Sequence, residues 1–320
     1  MSALTNNNPL HVIFGTGPLG KAVMRELVAR GKNVRLVNRS GQARDIPAGV
    51  ELVASDAFDP AKVAQMTQAA FAVYQCAQPA YNDWVTKFRP LQASIVDGVA
   101  RSGAKLIVAE NLYMYGEPNG PLREDSPFNA HTRKGAVRAE MAEALMAAHK
   151  AGKVRAASAR AADFFGPGVL DSLLGDRAFY PALAGKSASL AGNIDLPHSL
   201  TYIADFGKVL VTLAERDEAL GQAWHVPNAP TITQRAFMTM AFKEIGLPPR
   251  ISAMGRLMMT IGGVFIPAAR EVVEMMYEFE QPFVVDSSKF EKAFGVEATA
   301  WTESIKATVA WFKAHPQIKH

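Results

Sequence analysis

The stretch Leu10-His-Val-Ile-Phe-Gly15-Thr16-Gly17-Pro18-Leu19-Gly20 constrains the fold of this chain more than any other. His11–Phe14 is short, apolar and rich in β-formers, so it reads as a buried strand. Three glycines follow at G-x-G-x-x-G spacing. Val23, Leu27 and Val28 then recur at helical spacing, and Arg30-Gly31 stops the pattern. The glycines therefore sit where a strand turns into a helix, the context that gives this motif its meaning. Gly15 allows the tight turn, Gly17 lets a phosphate approach the backbone, and Gly20 lets helix and strand pack closely. Thr16, Pro18 and Leu19 complete the loop, and the free N–H groups of the helix N-terminus offer a seat for a pyrophosphate. The sequence thus predicts a dinucleotide site at residues 15–20.

The same rhythm continues. Asn33–Val37 reads as a second strand and ends in Asn38-Arg39-Ser40. An acid at this place would hold an adenosine ribose and select NAD. Here no carboxylate repels a phosphate, and Arg39 can form a paired hydrogen bond with one, so NADP is expected ahead of NAD. Val50–Val53 is a third strand, closed by Ser55-Asp56-Ala57. Asp56 is placed either to meet the adenine or to cap a helix over Asp59–Ala69. Phe71–Tyr74 is a fourth strand, and the loop Gln75-Cys76-Ala77 faces the same edge. A helix over Trp84–Arg101, a strand over Lys105–Ala109, a helix over Thr132–Lys150 and a strand over Val154–Ala159 follow. This alternation predicts an α/β fold, a doubly wound parallel (Rossmann) sheet with its ligand at the carboxyl edge. Residues 1–168 form the dinucleotide-binding domain. The rhythm breaks after Gly168, so 169–320 are expected to form a smaller, interleaved C-terminal substrate domain, with 199–226 rejoining the first. Within it Glu271–Phe279 reads as helix and Phe283–Val285 as strand.

Composition narrows the function classes. The 320 residues carry a net charge of +4 with basic residues scattered, which gives no nucleic-acid patch. The single cysteine, Cys76, rules out an intrachain disulfide and reads as core. Met1–Pro9 is polar and unlike a signal peptide. Leu257–Ala269 is too short to span a bilayer and is interrupted by Gly262, Gly263 and Pro267. The histidines show no metal-ligand spacing. The expectation is a cytoplasmic protein with a small-molecule partner and no metal, nucleic acid or membrane. Met258-Met259 and Met275-Met276, with Phe164, Phe165 and Tyr277, line either an adaptable pocket or a core or homodimer seam.

The layout resembles the extended short-chain dehydrogenase/reductase superfamily, with its epimerase/dehydratase and atypical members. The resemblance rests on Phe14–Gly20, Met114-Tyr115-Gly116, Asp163-Phe-Phe-Gly-Pro-Gly168, Tyr202-Ile-Ala-Asp205 and Val285-Asp-Ser-Ser-Lys289. It implies the fold; one fold hosts many chemistries, so it does not fix the reaction. Extended members carry Tyr-x-x-x-Lys on the helix after strand five. Here Lys134 stands at the Tyr position, Arg138 at the Lys position, and Asn111 near the usual Ser/Thr. Lys134-Gly-Ala-Val-Arg138 is similar to the isoflavone-reductase-like and NmrA-like branch, which implies a lysine in the acid–base role and a preference for NADPH. Lys134 and Arg138 share a helix face at i and i+4, and neighbouring cations weaken each other's hold on a proton. The alternative is two solvated cations at a helix start. Tyr113 and His131 are further candidates for proton transfer; the alternatives are a packed aromatic with a wet tip for Tyr113 and, as the favoured reading, a surface loop histidine for His131. The resulting expectation is an oxidoreductase that moves a hydride between NADP(H) and a small carbonyl substrate. The alternatives are a non-catalytic NADP(H) sensor and an NAD-dependent epimerase or dehydratase.

Overall fold

Val12 and Phe14 of the first strand face one side of a sheet and Ile13 faces the other, and all three are buried. That period of two, apolar on both sides, is the mark of a parallel strand covered on both faces. A computed structural model of the chain describes residues 8–265 and 273–317. The first half runs β1 (Leu10–Phe14), α1 (Pro18–Ala29), β2 (Asn33–Asn38), β3 (Glu51–Ala54), α2 (Pro60–Met66), β4 (Ala70–Gln75), α3 (Trp84–Ser102), β5 (Lys105–Glu110), α4 (Arg133–Lys150) and β6 (Arg155–Arg160). Then come β7 (Asp163–Phe165), α5 (Asp176–Leu183), β8 (Ala188–Ala191), β9 (Pro197–His198), β10 (Leu200–Tyr202), α6 (Ile203–Glu215) and β11 (Ala223–His225). The remaining described elements are β12 (Ile232–Thr233), α7 (Gln234–Ile245), β13 (Ile251–Met254), α8 (Arg256–Phe265), α9 (Ser288–Phe294) and α10 (Trp301–Ala314).

Seven strands form one sheet in the order β11-β6-β5-β4-β1-β2-β3, and every pairing in it is parallel. This is the doubly wound α/β sheet expected from the sequence. The chain leaves β1 toward β2 on one side and returns at β4 on the other, so the switch point, where such sheets bind ligands, opens directly beyond Phe14. α1 and α6 cover one face through Val23, Met24, Leu27, Phe206 and Leu210. Gly207 makes their crossing close: a Cβ there would lie 2.8 Å from a backbone carbon of Ala22. α3 and α4 cover the other face through Phe88, Leu91, Ile95, Val137, Met141 and Leu145. Each such fully buried aliphatic side chain contributes about 1.5–3 kcal/mol over its exposed state. A third apolar cluster, around Phe165, Phe179, Phe237, Phe242 and Phe312, gathers β7, α5, α7 and α10.

Several local expectations change. The helix after β3 is Pro60–Met66, shorter than Asp59–Ala69, and Asp59 caps it by accepting from the N–H groups of Ala61 and Lys62. Asp56 instead accepts from Phe58 N at 3.0 Å, a local Asx turn. Phe283–Val285 is not a strand; Phe283 and Val285 make isolated bridges to His198 and Leu122. The helix read over Glu271–Phe279 lies partly outside the described residues, and Met276–Phe279 is a 3-10 turn. β8 and β13 were not legible because they pair only with each other, about sixty positions apart. Among the methionines, Met258 is exposed while Met259, Met275 and Met276 are buried. Among the described residues no helix is long and apolar enough to cross a membrane.

Candidate active site

The glycine turn is built as its sequence requires. Gly15 has φ +109°, and a Cβ on it would lie 2.7 Å from Ala77 N, so no other residue fits there. A Cβ on Gly20 would fall 1.9 Å from Gly15 O, so the first turn of α1 rests on the loop itself. Gly17 is different: it is exposed, and a Cβ there would meet nothing within 4 Å. The space above Gly17 is open, and no side chain caps the N-terminus of α1, where Pro18 sits in the first turn. Open space over uncapped N–H groups is what a phosphate needs. Thr16 and Leu19 flank it, and Thr16 Oγ1 accepts from Asn38 Nδ2 at 2.9 Å.

Asn38 organises the adenosine end. Its Oδ1 accepts from Ser40 N at 3.1 Å and from Gly41 N at 2.7 Å, and its Nδ2 also donates to Gln42 O at 2.8 Å. The side chain is thus a clamp that shapes the loop. It leaves Arg39 and Ser40 exposed at the tip. Ala57 and the exposed Asp56 follow β3 on the same edge.

β4 ends in Gln75, whose register partner on β1 is Phe14. Gln75 Oε1 is buried without a hydrogen-bond partner among the described residues. Ala77 packs beside Gly15, and Cys76 lies just past the strand, half-buried, with its thiol pushed up by burial. β5 leads to Asn111 and Tyr113. The latter is pinned because Gly135 of α4 comes so close to Tyr113 O that a Cβ there would lie 2.8 Å from it.

Lys134 and Arg138 both point inward from α4, whose N-cap is Thr132. They are 0 % and 1 % exposed, which removes the reading of two solvated cations. Arg138 Nε donates to Asn111 Oδ1 at 3.1 Å and Nη2 to Ala109 O at 3.4 Å, and the guanidinium lies 4.9 Å over the Phe88 ring. Its Nη1 is buried with no hydrogen-bond partner among the described residues. Lys134 Nζ sits 4.5 Å over the Tyr81 ring and donates to Glu274 Oε1 at 2.9 Å. Burial would raise the Glu274 carboxyl, but Lys134 and Arg133 together hold it below its usual range. Tyr113 Oη meets Tyr81 Oη at 3.4 Å, and burial pushes both phenols well above their usual range. His131, by contrast, is about half exposed and faces Glu117 at 3.7 Å.

The chamber has walls that reading the sequence did not name. Glu274 and Glu278 come from the segment Val273–Phe279, and Asp163 from β7. Thr132 Oγ1 donates to Met275 Sδ at 3.6 Å, and the His131 and Tyr277 rings meet edge-on at 4.8 Å. These contacts dock that segment on the start of α4. The i, i+4 spacing of Glu274 and Glu278 among Met and Tyr was the only available signal. Among the described residues no group of three or more His, Cys, Asp or Glu is placed to hold a metal ion. A cleft of about 570 Å³ lined by Arg123, Glu124, Asp125, Asp286, Lys289 and Lys292 shares no residue with this site.

Residues 12–226 match the model of the NAD dependent epimerase/dehydratase family, about two thirds of the chain. The chain belongs to that family. Its members are enzymes and depend on NAD(P). Similar solved structures include a UDP-N-acetylglucosamine 4-epimerase from Bacillus cereus, 13 % identical with a TM-score of 0.78, covering 98 % of this chain and 99 % of that one. The Bordetella bronchiseptica enzyme WbmH, in complex with NAD+, is 18 % identical with a TM-score of 0.74 over 96 % and 99 % of the two chains. A dTDP-glucose 4,6-dehydratase from Bacillus anthracis, in complex with NAD, is 12 % identical with a TM-score of 0.78 over 96 % and 97 %. At these identities the likeness is one of fold. No curated protein sequence matches the chain.

Proposed function

We propose that this member of the family is an NADP(H)-dependent oxidoreductase acting on a small carbonyl-type substrate, with Lys134 and Arg138 in the places of the usual tyrosine and lysine. The observation that supports the reading best is the pair of buried polar atoms at the carboxyl edge, Gln75 Oε1 and Arg138 Nη1, that have no hydrogen-bond partner among the described residues. Buried polar groups are normally satisfied, and these two flank the route from the open glycine turn to Lys134. A dinucleotide lying on that route fits them.

Residues 15–20 would hold its pyrophosphate, the loop clamped by Asn38 would hold the adenosine, and Arg138 would hold the nicotinamide ribose. The exposed guanidinium of Arg39 and the Ser40 hydroxyl favour a 2′-phosphate. When bound, the nicotinamide supplies or accepts a hydride at its C4. Lys134, held in place by its hydrogen bond to Glu274 Oε1, would present its proton to the substrate oxygen. Tyr113 would donate a hydrogen bond but not act as a base, because its phenol is held protonated by burial. The C-terminal residues 169–320 would act as the substrate domain, closing over the edge through the segment bearing Glu274.

Titration of NADP(H) and NAD(H) into wild type and Arg39→Ala tests the cofactor assignment. Wild type is expected to prefer NADP(H) and the variant to lose most of that preference. A wild-type preference for NAD(H), or an unchanged ratio in the variant, refutes it. NADPH consumption across a panel of carbonyl compounds tests the reaction.

A further inference from the structure

The cleft beside β11, at the end of the sheet, is built from two walls of opposite charge. It encloses about 570 Å³, the size of a small-molecule pocket. Glu124 and Asp125, in the loop between β5 and α4, line one wall; Lys289 and Lys292, on α9, line the other. Backbone ties the walls together: Leu122 N donates to Val284 O and Asp286 N to Leu122 O, each at 2.8 Å. Arg123 and Asp286 pair across them at 3.2 Å and so cancel, which leaves one wall acidic and the other basic.

The floor is the free edge of β11, whose other edge pairs with β6. An edge strand presents unpaired backbone groups, and here charged side chains take them. Lys289 Nζ donates to Ala223 O at 3.0 Å, and Glu124 Oε1 accepts from His225 N at 2.8 Å. His225 is fixed from behind, with Nδ1 3.0 Å from Asp286 O and Nε2 2.9 Å from the Tyr115 hydroxyl. Tyr115 accepts in turn from Arg160, which is paired with Glu110. The site is therefore held in place before any ligand arrives, which cuts the ordering cost of binding.

The opposed charges do not satisfy one another. Among the described residues no carboxylate oxygen lies within 4.0 Å of the Lys289 or Lys292 ammonium, and no cation lies that close to Glu124 or Asp125. Lys289 is half-buried, with its ammonium 4.1 Å over the Trp224 ring, and burial lowers its amine from the usual range. A partly desolvated charge without a counter-charge is costly. Lys289 keeps two N–H donors beyond its bond to Ala223, and Glu124 keeps its second carboxylate oxygen.

We propose that this cleft binds a free amino acid as its zwitterion, with the carboxylate on Lys289 and Lys292 and the ammonium on Glu124 and Asp125. A simple anion would meet repulsion from the acidic wall and a simple cation from the basic one. Only a ligand carrying both charges makes charge-assisted hydrogen bonds at both ends. The volume leaves room for a side chain. The cleft shares no residue with the glycine turn or with Lys134, so its ligand is bound and not transformed, and the assignment stands apart from the oxidoreductase reading.

The test is calorimetric titration of the full chain with free L-amino acids, their N-acetyl derivatives and their amides. At least one free amino acid should bind, at one site per chain. Its N-acetyl derivative lacks the ammonium and its amide lacks the carboxylate. Each should bind about 10–100-fold more weakly, the loss expected for one charged hydrogen bond. Asp125→Lys and Lys292→Glu, both at exposed positions, should weaken binding by a similar factor while circular dichroism shows the fold intact. Lys289→Met, which keeps the stem over Trp224, should weaken it as well. Absence of binding by every free amino acid at millimolar concentration overturns the proposal. So does equal affinity for the N-acetyl derivative or the amide, or an affinity unchanged in both Asp125→Lys and Lys292→Glu.

Discussion

His225 couples the stability of this fold to pH. The imidazole is fully buried. Its Nδ1 lies 3.0 Å from the Asp286 carbonyl, which can only accept, so Nδ1 carries the proton. Its Nε2 then accepts from the Tyr115 hydroxyl at 2.9 Å, and that hydroxyl oxygen accepts from Arg160 Nη1 at 2.6 Å. A second proton on the ring would find no acceptor and would sit beside a guanidinium. Burial, reinforced by Arg160, lowers the imidazole from 6.5 to about 4. At 1.36 kcal/mol per tenfold change in proton affinity, the fold disfavours the charged ring by about 3 kcal/mol. The folded value lies below the unfolded one, so this contribution is intact above pH 6.5 and is lost as pH falls toward 4. By about pH 5 some 2 kcal/mol should be gone. Urea unfolding of wild type and His225→Gln isolates the effect from other titrating groups. The variant should be less stable near neutrality, and the gap should narrow by about 2 kcal/mol at about pH 5. A gap that does not change with pH refutes the reasoning.

Two other substitutions probe the site itself. Gly17→Val should fold normally, because a Cβ at that position meets nothing within 4 Å. It should abolish cofactor binding by filling the space a pyrophosphate needs; retained affinity in a folded variant would take the glycine turn out of the site. Lys134→Ala should lower turnover about 10²–10⁴-fold at saturating cofactor and leave NADPH affinity nearly intact; an undiminished single-turnover rate would show that Lys134 carries no proton transfer.

The sequence by itself determined the sheet. Strand and helix periodicities from His11 to Lys150, each closed by a local turn, specified parallel strands covered on both faces, because every signal lay within a few residues of what it governed. The glycine turn was legible from its local spacing: Gly20 is demanded by a backbone contact inside the loop, while the crowding of Gly15 by Ala77, about sixty positions on, came only with the fold. Lys134 and Arg138 were found by their places on one helix. Only the tertiary structure decided what surrounds them. Glu274, which accepts from Lys134, lies 140 positions away. β8 and β13 had the same problem, since neither strand has a local partner. Periodicity reports which face of an element is buried; it carries no information about which distant charge arrives there. The surroundings of Lys134 were therefore settled by the chain's return across α4 and not by the residues beside it.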